Sequence, residues 1–159
     1  MGHSQPGTLT CATTDRAAAN ESIAFLGPLR HVTAAGVDFA YHRFHIGEVK
    51  EKTPLVLLMG FGGTMSEWTP QLLRMLAGGR EVVIFDYMAQ GLSKEVVPST
   101  GPIALDLVTT TLSFLEALRL HRPNVLGWSL GGSVALLMLS RGPQALGKLD
   151  PSFLTLSAY

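Results

Sequence analysis

The chain has 159 residues, of which 47% are hydrophobic, 15% charged and 8% aromatic, enough for one domain with a substantial core. Twelve Lys and Arg offset twelve Asp and Glu, and no basic stripe or acidic block appears, so the composition points away from nucleic acid and from charged membrane surfaces. A single cysteine, Cys11, excludes an intrachain disulfide and any cysteine-built metal site.

Residues 1–28 are rich in Ser, Thr, Ala, Asn and Gly without sustained periodicity, and are expected to form a flexible N-terminal tail ending near Gly27-Pro28. Residues 29–159 then form the domain proper. Met1 to Asn20 contain no apolar run that resembles a signal-peptide core. The longest apolar run, Val134 to Leu139, falls far short of the roughly 20 residues that cross a bilayer. These features are those of a soluble, cytoplasmic protein.

Two runs, His31 to Thr33 and Val37 to Phe44, flank Ala34-Ala35-Gly36 and predict a β-hairpin. Pro54 to Met59 is apolar without alternation, the pattern of a strand buried on both faces. It runs into Gly60-Phe61-Gly62-Gly63-Thr64. A helix is expected from about Ser66 to Leu76, stopped by Gly78-Gly79. A second buried strand, Glu81 to Phe85, ends in Asp86 and an irregular loop through Gly91 and Pro98. From Ile103 to Leu118 the apolar positions 104, 107, 108, 112, 115 and 118 have helical spacing. Asn124 to Leu126 predicts a third short strand, Ser129 to Ser140 a third helix, and Phe153 to Ser157 a fourth buried strand. Alternating strands and helices after a hairpin imply an α/β fold with a mostly parallel sheet.

The strongest local motif is Gly127-Trp128-Ser129-Leu130-Gly131-Gly132, a G-x-S-x-G sequence between a buried strand and an apolar helix. A serine forced into so sharp a turn brings the residues two before and two after it together, and Gly127 and Gly131 have no side chains to collide there. The turn lifts the Ser129 hydroxyl above the carboxyl edge of the sheet, at the N-terminus of a helix whose dipole favours negative charge.

The series PLVLLMGFGGT, EVVIFDYMAQGLS and NVLGWSLGGSVALLML resembles the N-terminal half of the α/β-hydrolase superfamily. It is similar in particular to small esterase, lactonase and cofactor-free haloperoxidase-like members. The likeness covers about Val32 to Tyr159, and it implies no cofactor and no metal. It implies Ser129 as nucleophile and the backbone N–H groups of Leu130 and Phe61 as oxyanion donors, supported by Gly60, Gly62, Gly127, Trp128 and Gly131. There are departures. Met59 stands where many members have histidine. Asp86 to Ser93 keeps the Asp, Gly and Ser of the Asp-x-Arg-Gly-x-Gly-x-Ser pattern but lacks its arginine, which implies a looser loop. Asp86 accordingly reads as a turn-stabilising residue rather than a catalytic acid.

A serine nucleophile needs a base and an acid to orient that base, and in this superfamily both follow the serine in the chain. No histidine follows Ser129, and the only later acidic residue is Asp150, placed by its position at the amino edge of the sheet. His31, His42 and His45 belong to the hairpin, and His121 precedes the strand that leads into the elbow. On a strand, the offset between His42 and His45 points them to opposite faces, which argues against a metal pair.

The fold typically needs two more strands and about 250 residues. The expectation is therefore the N-terminal portion of a serine hydrolase for esters or related acyl substrates, truncated after about six strands and inactive alone. The alternative is a non-catalytic relative that binds a small ligand, or pairs through an open strand edge with another chain.

Overall fold

In the computed structural model, which describes residues 23–95 and 103–141, the apolar run from Leu55 lies at the heart of a six-stranded sheet. Strands β1 (Arg30–Ala34) and β2 (Val37–Phe44) form the expected hairpin around Ala35 and Gly36, both at positive φ. Then come β3 (Ile46–Leu58), α1 (Pro70–Ala77), β4 (Gly78–Phe85), the two-residue β5 (Lys94–Glu95), α2 (Ile103–Ala117), β6 (Asn124–Gly127) and α3 (Leu130–Arg141).

The strand order is β1-β2-β4-β3-β6, with β5 against β2. β3 runs parallel to β4 on one side and to β6 on the other, whereas β2 is antiparallel to β1, β4 and β5. The fold is α/β as expected, but the sheet is mixed rather than mostly parallel. The physical reason lies in the connections. A tight turn can join only antiparallel strands, so parallel pairing is confined to β4, β3 and β6, where α1 and α2 supply the crossovers.

Two element boundaries differ from expectation for a related reason. β3 begins at Ile46, eight residues before the apolar run, and its exposed first half pairs Ile46 with Gly78 and Glu51 with Arg80. Gly78-Gly79 ends α1 as expected and also opens β4. Long-range pairing, not local composition, sets both limits. The strand expected over Phe153 to Ser157, together with Cys11, His3 and Asp150, lies outside the described residues.

The core gathers Leu55 to Leu58, Val82 to Phe85 and Val125 with residues from all three helices. At its centre Phe114 of α2 stacks on Phe85 of β4 at 4.4 Å between centroids and touches Phe39 and Tyr41 of β2. One aromatic ring thus ties a helix to two adjacent strands, with offset and edge contacts that add to the burial of its area. Helix α1 starts with Pro70 and is capped by Thr69, whose hydroxyl accepts from the Leu72 N–H. Among the described residues no helix is long and apolar enough to cross a membrane.

Residues 23–28, expected to close a flexible tail, hold a 3₁₀ turn at Ala24–Leu26 in which Leu26 is buried. Phe25 packs edge-on against Phe44, and Arg74 lies 4.3 Å from the centre of its ring. Residues 1–22 lie outside the described part. Arg43 of β2 reaches across to β4 and holds Glu81 with two hydrogen bonds, at 2.7 and 2.9 Å. Such a half-exposed pair contributes about 1 kcal/mol or less.

The histidines of the hairpin go separate ways. His31 lies 3.2 Å from Asp38 across the turn, and His45 bonds the Gly47 carbonyl at 3.0 Å. His42 is half-buried, and its desolvation holds it below the ordinary imidazole value of 6.5; backbone carbonyls of Pro28, Gly27 and Leu26 and the Asp86 carboxylate oppose this without overcoming it.

Two measurements check this account. Phe114→Ala is expected to lower unfolding stability by about 3–5 kcal/mol, while Met75→Ala, at a side chain 79% exposed, changes it by less than about 0.5 kcal/mol; comparable losses in urea unfolding would contradict the assigned core. The unfolded chain binds a proton at His42 more readily than the folded one, so its contribution is complete above pH 6.5 and declines as pH falls below it. The urea midpoint should drop between about pH 7.5 and 5, and His42→Gln should remove part of that slope.

Candidate active site

β3, β4 and β6 end together at Leu58, Phe85 and Gly127, and the site is built on that edge. Only Trp128 and Ser129 separate β6 from α3. To turn so sharply, Ser129 adopts φ 53°, a left-handed conformation that costs a side-chain-bearing residue about 1–2 kcal/mol. Hydrogen bonds hold it there. Trp128 N–H donates to the Leu58 carbonyl at 2.9 Å, and the Gly131 and Gly132 N–H groups donate to the Trp128 and Ser129 carbonyls at 2.9 Å each.

The flanking glycines are required by contact. A Cβ on Gly127 would stand 2.5 Å from the Gly131 backbone, and one on Gly131 would overlap the Leu58 carbonyl oxygen. The start of α3 thus lies directly against the carboxyl end of β3. No alanine fits either position without moving backbone.

The loop after β3 faces the elbow. Gly60 to Gly63 forms a turn in which Gly63 N–H donates to the Gly60 carbonyl at 3.2 Å, with Gly62 at φ 72°. A Cβ on Gly60 would lie 3.2 Å from the Trp128 ring and 3.4 Å from Ser129 Cβ, so the loop sits close against the serine. Between loop and elbow is an open cleft of about 580 Å³, lined by Met59, Gly60, Phe61, Gly63, Glu67, Trp128, Ser129, Leu130 and Ser133. The structure therefore brings Ser129, Phe61 and Leu130 to one cleft, with Gly60 and Trp128 in its wall and Gly127 and Gly131 behind the turn. Gly62 is exposed at the loop tip.

Asp86 does what its place after β4 suggests. It is buried, its Oδ1 accepts from Met65 N–H and its Oδ2 from Leu92 N–H, both at 2.7 Å. Its carbonyl accepts from the Ser93 hydroxyl, whose oxygen in turn accepts from Ala40 N–H. Each carboxylate oxygen holds a backbone N–H, which makes Asp86 the tie between the glycine loop, the loop after β4, and β2. Next to it, burial pushes the Tyr87 phenol well above its ordinary range.

One cleft residue escapes the sequence reading altogether. Glu67 belongs to a capping box: its N–H donates to the Thr64 carbonyl at 3.1 Å, while Thr64 N–H donates to its Oε1 at 2.9 Å. The signal is present as Thr64-x-x-Glu67, a Thr followed three residues later by Glu. It is masked by the assignment of Ser66 onward to a regular helix, which here is a 3₁₀ turn (Met65–Glu67) before α1. No histidine is among the described residues that line the cleft, and His121 lies before β6, at its opposite end from Ser129.

The strain at position 129 can be measured. Ser129→Gly is expected to raise unfolding stability by about 1 kcal/mol, and Ser129→Ala to leave it within about 0.5 kcal/mol. Gly131→Ala should cost about 3 kcal/mol or more. Equal stability of the Gly and Ala variants at 129 would show that the turn is unstrained.

Residues 53–149, more than half of the chain, match the family described as alpha/beta hydrolase fold. A Caulobacter sp. (strain K31) protein named as a candidate carbamate hydrolase, RutD, is 29% identical over 113 residues, which cover 71% of this chain and 41% of that protein. A hydrolase from Pseudomonas aeruginosa PA01 superposes with a TM-score of 0.61 at 30% identity, covering 76% of this chain and 43% of its own. A candidate lipase from Acinetobacter baumannii AYE, at 22% identity, shares the fold with a TM-score of 0.70 over 88% of this chain and 46% of its own. The chain spans about two fifths of the length of the curated relatives it matches. With the family matched over residues that include both the glycine loop and the elbow, the chain belongs to the α/β hydrolase fold family.

Proposed function

We propose that Ser129 is the nucleophile of a serine hydrolase that acts on esters or related acyl compounds, and that these 159 residues hold its nucleophile and oxyanion half only. The observation that carries the reading is the strained Ser129 at a strand-to-helix elbow, held against the Gly60–Gly63 loop. Its Oγ attacks the acyl carbon, and the Phe61 and Leu130 N–H groups receive the oxyanion, each such donor being worth about 10²–10³ in rate. The proton of Ser129 must leave to a base as the C–O bond forms, and the same group returns it to the departing alcohol. The carbamate named for the Caulobacter relative presents an acyl carbon of the same kind.

Among the described residues that line the cleft there is no histidine to serve as that base. No histidine follows Ser129 in the sequence, and Asp86, which holds the Met65 and Leu92 N–H groups, is not among the described residues that line the cleft. General-base catalysis contributes about 10²–10⁴-fold, so the isolated chain is expected to leave Ser129 unreactive. That no imidazole is among the described residues that line the cleft also favours a second reading, in which the chain binds an acyl compound without turning it over.

A fluorophosphonate probe separates these readings. The 159-residue chain should show no labelling above its Ser129→Ala variant, and strong labelling would show that a base is already present. In a chain extended by an acid and a histidine-bearing loop, esterase activity should appear, and Ser129→Ala should lower kcat by at least about 10⁴-fold. Activity that survives the substitution would remove Ser129 as nucleophile.

A further inference from the structure

Glu67 is the one charged group among the described residues that line the cleft in front of Ser129. Its position is fixed by the chain itself. The Thr64 N–H donates to Oε1 at 2.9 Å and holds it in place, and Oε2 lies beside Gly63, 3.1 Å from where a Cβ there would stand. In the same cleft two aromatic side chains stand open, Phe61 with 76% and Trp128 with 53% of their surface exposed. Neither is needed for the core. A fixed carboxylate attracts a cation by charge, and open aromatic rings attract it by their quadrupole. The same carboxylate raises the cost of seating an anion.

We propose that the cleft selects esters that carry a cationic nitrogen and disfavours anionic ones, with Glu67 as the specificity-determining residue. The proposal rests on the reading of this cleft as the acyl-substrate site. Glu67 does not act on the reacting bond; it chooses what is brought to it. Because the carboxylate is exposed, water screens it, so the expected preference is modest, about 5- to 10-fold, and shrinks as salt is added.

Binding to the 159-residue chain, read by ligand-observed NMR, tests the idea without requiring turnover. Acetylcholine is compared with its uncharged isostere 3,3-dimethylbutyl acetate, and glycine ethyl ester with ethyl propanoate. The first pair carries the cation on the alcohol side, the second on the acyl side. The cationic member of at least one pair should bind about 5- to 10-fold more tightly at low salt. That ratio should fall at least about twofold in Glu67→Gln, to the part the Phe61 and Trp128 rings supply; the Gln amide oxygen still accepts from Thr64 N–H and preserves the capping box, and an unchanged Tm confirms the fold. Equal binding within both pairs, or a preference undiminished in Glu67→Gln, overturns the role of Glu67 while leaving the acyl site intact. If none of the four esters binds, the acyl-site reading fails and the charge preference fails with it.

Discussion

The rest of the structure depends on how closely helix α3 approaches the end of strand β3. Gly131 sits so near the Leu58 carbonyl that no Cβ fits between them, and the same carbonyl accepts the Trp128 N–H. That approach fixes the angle at which the chain leaves β6. It forces Ser129 into a left-handed conformation and places the serine directly opposite the glycine loop that continues β3. Strand, helix and loop are therefore parts of one contact. The favourable packing of Val134, Ala135 and Met138 under α3 offsets a backbone strain of about 1–2 kcal/mol at a single residue.

A second constraint holds the other side of the cleft. Asp86 gathers N–H groups from Met65 and Leu92 on its two carboxylate oxygens, and its neighbour Ser93 carries the chain of bonds on to Ala40 in β2. Buried and doubly accepting, such a carboxylate is costly to leave without partners. The loops after β3 and β4 are thus tied to each other at a point behind the cleft. The arginine that the family pattern often places in the second loop is absent, and backbone N–H groups provide its order instead.

Much of this was legible in the chain, and where it was, one physical rule sufficed. Uninterrupted apolar runs mark β3 and β4 because both faces of these strands are covered. The spacing over residues 103–118 marks α2 to within a residue because its buried stripe follows the helical period. The glycines at 127 and 131 mark the elbow because only a missing side chain permits that contact. Other features depend on partners far away in sequence. The polar start of β3 is a strand only because β4 pairs with it, and Leu26 leaves the expected tail because Phe25 meets Phe44 and Arg74. Glu67 was hidden differently. Its capping box lies in the sequence, but a three-residue turn is too short to show a periodicity of its own beside the helix that follows.

The position of β3 in the sheet has a bearing on the order of assembly. Its neighbour β6 is only four residues long and carries Ser129 just beyond its end, whereas β1 to β4 and the Asp86 ties all come from residues 30–93. The strands and the glycine loop that meet the elbow therefore precede it in the chain, whereas α3 follows it. On a ribosome, where synthesis runs from the N-terminus onward, the Leu58 carbonyl and the glycine loop are made before the serine, whereas α3, whose approach bends it, is made after, so the turn can close only once Gly131 is free to meet β3.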